Sequence, residues 1–361
     1  MNFIGQRTPG FSIVRQNDRK AGMKKTPATL PIRLAALFLI IIAAAGVAWF
    51  TMIRMPSSSY SGPWQPLSEQ EMVLSEQLAA DVQKLAGEIG DRNVREYENY
   101  LAAADFIQAS FEAAGYEVSR QEFETEGRAC YNLEAEIEGT ERPGEILVLG
   151  AHYDSVFGTP AANDNASGVA ALLAIARAFA GDEPARTVRF VAFANEEPPF
   201  FQTGDMGSLV YARRSRERGE NIVGMVSLET IGYYSEEPGS QNYPFPFQWL
   251  YPNTGNFLAF VGNTGSRGLL REGIRAFREN TAFPSEGAAV PSMIPGVGWS
   301  DHWAFWQEGY PGFMVTDTAP FRYPYYHTHQ DTPDKLDYLR MTRAVTGLIK
   351  MSRELAAAGG N

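Results

Sequence analysis

The sequence predicts an α/β fold: a three-layer αβα sandwich with a mostly parallel, mixed central sheet, preceded by one N-terminal transmembrane helix. Three observations carry this expectation. Short continuous apolar runs at Ile146–Leu149, Val188–Phe193 and Met225–Ile231 read as buried strands. Stretches with helical apolar spacing alternate with them, as in chains that wind helices around a parallel sheet. Residues 34–53 form twenty uncharged, strongly apolar residues, about 30 Å as a helix, the thickness of a bilayer core.

In chain order, residues 67–88 read as a helix, and residues 97–114 as a second one stopped by Gly115. Tyr116–Phe123 and Tyr131–Ile137 alternate and read as an antiparallel pair. The strand at Ile146–Leu149 is followed by a helix over Gly168–Ala180. The strands at Val188–Phe193 and Met225–Ile231 follow. Phe257–Val261 and Gly312–Val315 are further strands, with a helix at 266–279 between them, and residues 338–357 close the chain as a helix. Residues 235–256, rich in Pro, Gly and aromatics, read as a long loop, and loops of that length in compact domains tend to be functional.

The chain has 361 residues, 44% hydrophobic and 20% charged, which excludes a disordered chain and a disulfide scaffold. Residues 1–54 hold eight of the 31 basic and one of the 42 acidic residues, leaving 23 and 41 for the rest. So acidic a body argues against nucleic acid as partner. The basic residues preceding the apolar run place the N-terminus in the cytoplasm and the body across the membrane, periplasmic or extracellular. The competing reading is a cleaved signal peptide starting at Met23 with a cut near Ala48. The anchor is preferred because the run is long for a signal sequence. The expected organisation is a basic cytoplasmic tail (1–33), a signal-anchor (34–53) in contact with the lipid bilayer, a linker (54–66) and a catalytic domain (67–361).

One cysteine, Cys130, excludes an internal disulfide and a Cys-rich metal module, so any metal is held by His and carboxylates. The four histidines are His152, His302, His327 and His329. Ligands in open α/β sheets bind beyond the carboxyl ends of strands. One strand ends in His152-Tyr-Asp154, where the carboxylate can take the other N–H of a ligating imidazole. Asp164, in Asn-Asp-Asn before a helix, reads on its own as an N-cap. Glu196 and Glu197, adjacent at a strand end, repel unless a cation or a proton lies between them, or else form a surface turn. Glu229 lies in an apolar run and needs a partner. Ser300-Asp301-His302 and Tyr325-Tyr326-His327-Thr328-His329 supply the remaining histidines. A lone histidine is more often a structural residue; the signal is the joint arrangement at successive strand ends.

In order, GAHYDS (150–155), ANDNASG (162–168), NEE (195–197), SLETIGY (227–233), SDHWAFW (300–306) and YYHTHQDTPDKLDY (325–338) resemble the motifs of co-catalytic di-zinc aminopeptidases, over residues 95–355. Relatives of that family include glutaminyl cyclases, glutamate carboxypeptidase and the transferrin-receptor ectodomain. The resemblance implies two zinc ions per chain bridged by Asp164, with His152 and Glu229 completing one site and Glu197 and His327 the other. It implies Glu196 as general base, Asp154 orienting His152, and Tyr326 stabilising a tetrahedral oxyanion. It implies that Asp301 or His302 contacts substrate or backs the ligands. The expected substrates are peptides with a free N-terminus. The alternatives are a glutaminyl-peptide cyclotransferase, with one zinc, and a non-catalytic receptor-like domain. The family pattern has Asp where this chain has Glu229, and the segment after Glu197 is longer here. Phe200 and Phe201 in that segment are expected to wall a pocket for an apolar N-terminal side chain, or simply to pack the loop.

Overall fold

The structure is a computed structural model that describes residues 29–357. The basic tail expected over 1–33 therefore falls mostly outside the described residues. The chain divides into two compact units, residues 1–47 and 48–361. In the first, helix α1 (Thr29–Ala48) carries the apolar run, and the exposed helical stretch Ile32–Ile53 is long and apolar enough to cross a membrane. It runs on through a π-helical turn at Trp49–Ile53.

The second unit is built on an eight-stranded sheet in the order β1-β2-β4-β3-β5-β8-β6-β7. The strands are β1 (Val118–Thr125), β2 (Arg128–Ile137), β3 (Arg142–His152), β4 (Arg186–Phe193), β5 (Asn221–Glu229), β6 (Leu258–Gly262), β7 (Ser285–Ala289) and β8 (Gly312–Thr316). The central four, β4, β3, β5 and β8, run parallel, as do β6 and β7; β1, β2 and the β6–β8 junction are antiparallel. The sheet is thus mixed with a parallel centre, as the alternation of apolar runs predicts.

Period-two alternation sorts the sheet's side chains into two cores. Leu147, Leu149, Phe190, Val226, Leu228 and Val315 face one way, toward α4 (Gly168–Phe179) and α9 (Tyr338–Ala357). Ile146, Val148, Val191 and Met225 face the other, against α5 (Gly207–Glu217) and α7 (His302–Gln307). Helix α9 buries Met341, Val345, Leu348, Met351 and Leu355, a stripe at spacings of three and four. Truncating one of these, such as Leu348→Ala, costs about 2–5 kcal/mol. Helices α2 (Glu69–Val82), α3 (Tyr97–Ala113) and α6 (Arg267–Asn280) complete the α9 side, joined to the same core. Helix α2 starts at a capping box, in which the Ser68 hydroxyl accepts the Glu71 N–H and the Glu71 carboxylate accepts the Ser68 N–H.

Some expectations are corrected. The helix expected over 67–88 gives way at Gln83 to a π-helical stretch, Gln83–Ile89. Helix α5 and strand β7 are additional elements. The segment at 54–66, expected as a linker, makes contacts with residues 278–285. Arg278 donates to the Pro56 and Ser57 carbonyls, Ser59 Oγ accepts the Ser285 N–H, and Trp64 packs on Phe283 at 5.5 Å.

Candidate metal centre

The parallel strands end on one rim, and the loops beyond them carry the ionisable cluster. Strand β3 ends at His152, β4 is followed by Glu196 and Glu197, and β5 ends at Glu229. Asp164 lies between β3 and α4, in a stretch whose φ/ψ is not helical. His327 follows β8 and the one-turn helix α8 (Ala319–Arg322).

The six side chains converge. His152 Nε2 lies 3.4 Å from Asp164 Oδ1, 3.3 Å from Glu229 Oε2 and 3.8 Å from Glu196 Oε2. His327 Nε2 lies 3.0 Å from Asp164 Oδ2 and 3.3 Å from Glu197 Oε2. Each oxygen of Asp164 therefore faces a different histidine. All except His327, which is partly exposed, are buried.

The donor set fits divalent cations. Both ring nitrogens of His152 and Oε1 of Glu197 are buried and accept or donate no hydrogen bond. Buried polar atoms without partners are costly. Ligands about 2.1 Å from a tetrahedral ion lie about 3.4 Å from one another, close to the 3.3–3.4 Å that separate His152 Nε2 from Asp164 and Glu229 and the 3.3 Å between His327 Nε2 and Glu197. The His152, Asp164 and Glu197 donors also lie within 4.8 Å of one another. His152, Asp164 and Glu229 can hold one ion, and His327, Asp164 and Glu197 another.

The proton affinities follow from crowding. Burial alone would depress His152, but Glu229 and Glu196 carry it well above the imidazole range. Burial pushes Glu196 well above the usual carboxylate range, and Glu229, Glu197 and Asp301 add repulsion against the pull of His152. Burial and Asp164 lift Glu197 to about 8. Against its own burial, Asp164 is held well below its ordinary value by the two histidines.

A buried ring of partners fixes the main chain. Asp154 Oδ1 and Oδ2 accept the N–H groups of Glu196 and Glu197, each at 3.0 Å, and Oδ1 lies 3.4 Å from His152 Nδ1. Asp331 accepts the N–H groups of Asn163 and Asp164. Asn165 Oδ1 accepts the Thr230 N–H, and Ser300 Oγ donates to Glu229 Oε2 at 2.7 Å. Arg92, wholly buried, donates to the carbonyls of Leu85, Gly90, Tyr153, Pro160 and Ala161. Around the centre Ala161, Asn195, Thr230 and His327 adopt positive φ, which costs a non-glycine residue about 1–2 kcal/mol each. Arg92, Asn165 and Asp331 were not singled out from the sequence. Their signal is tertiary: Asp331 is 167 residues from the N–H it binds.

Tyr326 stacks on His327 at 3.8 Å, and burial with the nearby Asp164, Glu197, Glu229 and Glu196 raises its phenol, keeping it protonated. Tyr326 and Glu229 also border an open cavity. The cavity lies over β8, β6 and β7, roofed by residues of the 241–251 and 290–299 loops. Phe200 instead joins the main core, Phe201 packs beside Trp303 against the α5–α7 core, and neither lines this cavity. The chain after Glu197 turns at once, with the Phe200 N–H bonded to the Glu197 carbonyl, and carries both rings away. Asp301 and His302 are fully buried, and neither lines the cavity. Burial lifts Asp301 to about 7. His302 Nε2 lies 2.8 Å from the Val297 carbonyl, and burial depresses it to about 4.

Residues 132–351 match the model of peptidase family M28. The chain is 38% identical over 285 residues to the uncharacterized protein YfbL of Escherichia coli (strain K12), covering 76% of this chain and 87% of that one. It is 30% identical over 220 residues to leupeptin-inactivating enzyme 1 of Streptomyces exfoliatus, covering 60% of this chain and 46% of that one. Among solved structures it resembles BSAP, a zinc aminopeptidase from Bacillus subtilis, with a TM-score of 0.62 and 15% identity over 78% of this chain and 95% of that one. At that identity the likeness concerns the fold alone.

Proposed function

Because the chain belongs to peptidase family M28, we propose that it is a zinc-dependent aminopeptidase that removes N-terminal residues from peptides. The single observation that carries this reading is Asp164, whose two oxygens face two histidines at 3.4 and 3.0 Å. It supports two zinc ions sharing that carboxylate, one held by His152 and Glu229 and the other by Glu197 and His327. Zinc bound there supplies Lewis acidity and lowers the pKa of a coordinated water from 15.7 to about 7.

The chain's own residues do the rest. Glu196, with its raised proton affinity and its main chain fixed by Asp154, takes a proton from the attacking water and delivers it to the leaving amine. Tyr326, held protonated, donates to the developing oxyanion. Asp154 orients His152 from the opposite ring nitrogen. The cavity beside Glu229 and Tyr326 receives the side chain of the N-terminal residue. Asp301 acts on the ligands from behind rather than on substrate, while His302 holds the Val297 carbonyl. Residues 67–361 form the catalytic domain. The stretch Ile32–Ile53 anchors it to a membrane, with the basic N-terminus cytoplasmic and the domain periplasmic or extracellular.

The test is a screen of aminoacyl-coumarin and Gln-peptide substrates with purified full chain, with and without chelator. Chelator-sensitive release of coumarin supports the proposal. Pyroglutamate formation with no coumarin release would assign a cyclase instead.

A further inference from the structure

We infer that Glu286 gives the cavity its substrate class: it takes an N-terminal residue with a cationic side chain, lysine or arginine. This rests on the aminopeptidase reading and deepens it. The register of the sheet places Glu229 beside Thr316, Thr316 beside Ala259, and Ala259 beside Glu286. Residues directly paired across strands point to the same face, and all four line the cavity. The cavity floor is thus one row across β5, β8, β6 and β7, with the metal centre at one end and Glu286 at the other. Three strand spacings make that row about 14 Å long between Cα atoms. A leucine side chain ends well short of the far carboxylate, whereas the four-carbon stem of lysine carries its ammonium toward it.

Among the described residues Glu286 forms no ion pair; Arg278 is the one cation that acts on it, without touching it. No lysine or arginine among the described residues lines the cavity. Alternation along β7 turns Ser285 to the other face, where Arg278 is engaged by Ser285 Oγ and by the carbonyls of Ser285, Pro56 and Ser57. Arg322 donates to Gln241 Oε1 and the Phe257 carbonyl, and the carboxylate that acts on it is Asp317. The neighbouring phenols are also spent, Tyr251 on the Gly287 carbonyl and Tyr243 on the Pro252 carbonyl. The roof adds the rings of Tyr243, Phe247, Tyr251, Trp299 and Phe321. A partly buried carboxylate at the end of an aromatic slot favours a cation twice over, through charge pairing and through the faces of the rings.

The test compares lysyl-, arginyl- and norleucyl-coumarin with the native full chain and with Glu286→Gln, a near-isosteric change. Norleucine matches the lysine stem without its charge. The native protein should favour lysyl over norleucyl substrate by roughly tenfold or more in kcat/KM, and Glu286→Gln should bring that ratio toward one. A native ratio of one, or a ratio that Glu286→Gln leaves unchanged, overturns the assignment while leaving the aminopeptidase reading intact. If no aminoacyl substrate is hydrolysed, the aminopeptidase reading fails by itself. Calorimetric binding of lysinamide against norleucinamide then decides the cavity: a preference for lysinamide lost in Glu286→Gln supports it, and equal binding overturns it.

Discussion

Asp331 Oδ2 accepts the main-chain N–H of Asp164 at 3.1 Å, while Oδ1 of the same carboxylate accepts the N–H of Asn163 at 2.8 Å and the Tyr323 hydroxyl at 2.8 Å. One buried side chain from the last loop thereby sets the backbone from which Asp164 projects between the two histidines. Asp331→Asn keeps the shape but turns an acceptor into a donor opposite an N–H. Supporting groups of this kind typically tune metal affinity by about 10–100-fold. Competition with a chromogenic chelator should show zinc affinity falling by that factor, and unchanged affinity would remove Asp331 from the account.

Glu196 and Glu197 are adjacent, yet they separate in role. Glu197 Oε2 is 3.3 Å from His327 Nε2, within a ligand set, whereas Glu196 stands 3.8 Å from His152 Nε2. Glu196→Gln should retain both zinc ions and lose about 10²–10⁴-fold in kcat. Glu197→Gln should lose metal first and activity with it. Metal content measured beside kcat on the two variants separates them.

Much of this centre was legible in the sequence because chemistry follows buried strands. His152, Glu196 and Glu229 each sit at or just beyond the end of an apolar run, and a rim of strand ends is where α/β sheets place ligands. The rest is hidden for definite reasons. Strand β7 reads Ser-Glu-Gly-Ala-Ala, with no β-forming residue, and exists because β6 pairs with it. Glu286 therefore looks like a surface acid until the register puts it in the row with Glu229. The positive φ values at Ala161, Asn195, Thr230 and His327 carry no glycine to announce them. Phe200 and Phe201 follow the glutamates closely in sequence, but the turn after Glu197 takes them into the cores.

Arg92 shows how a positioning residue escapes notice. It is one arginine among many in the sequence, yet its guanidinium satisfies five carbonyls that frame the loops behind the centre. Arg92→Ala removes all five bonds, leaving the Leu85 and Ala161 carbonyls only their main-chain donors, Gly90 and Ala166. Urea denaturation should show a loss of about 3–5 kcal/mol with an unchanged slope.

Stripping the metal should make stability fall as pH rises. Burial lifts Glu197 to about 8 and Asp301 to about 7. Burial works against His327, but Asp164 and Glu197 carry it to about 10. Each group keeps its proton in the folded chain where the unfolded chain has lost it. The folded state therefore binds more protons, and ∂ΔG/∂pH is negative. The two carboxyl contributions are fully present below about pH 4 and are lost as pH rises toward 8; that of His327 is present below about 6.5 and is lost toward 10. Scanning calorimetry of chelator-treated protein should show a melting temperature that drops between pH 5 and 8. Zinc displaces the protons of Glu197 and His327, so its stabilisation should grow over the same range. A melting temperature of stripped protein that climbs with pH would contradict these assignments.

Everything in the proposed chemistry depends on Asp164 being shared by two cations. Anomalous diffraction at the zinc edge from crystals of the full chain tests this most directly. The account predicts two peaks flanking Asp164, one against His152 and Glu229 and the other against His327 and Glu197. A single peak, or density bound elsewhere with Asp164 bridging nothing, would contradict it.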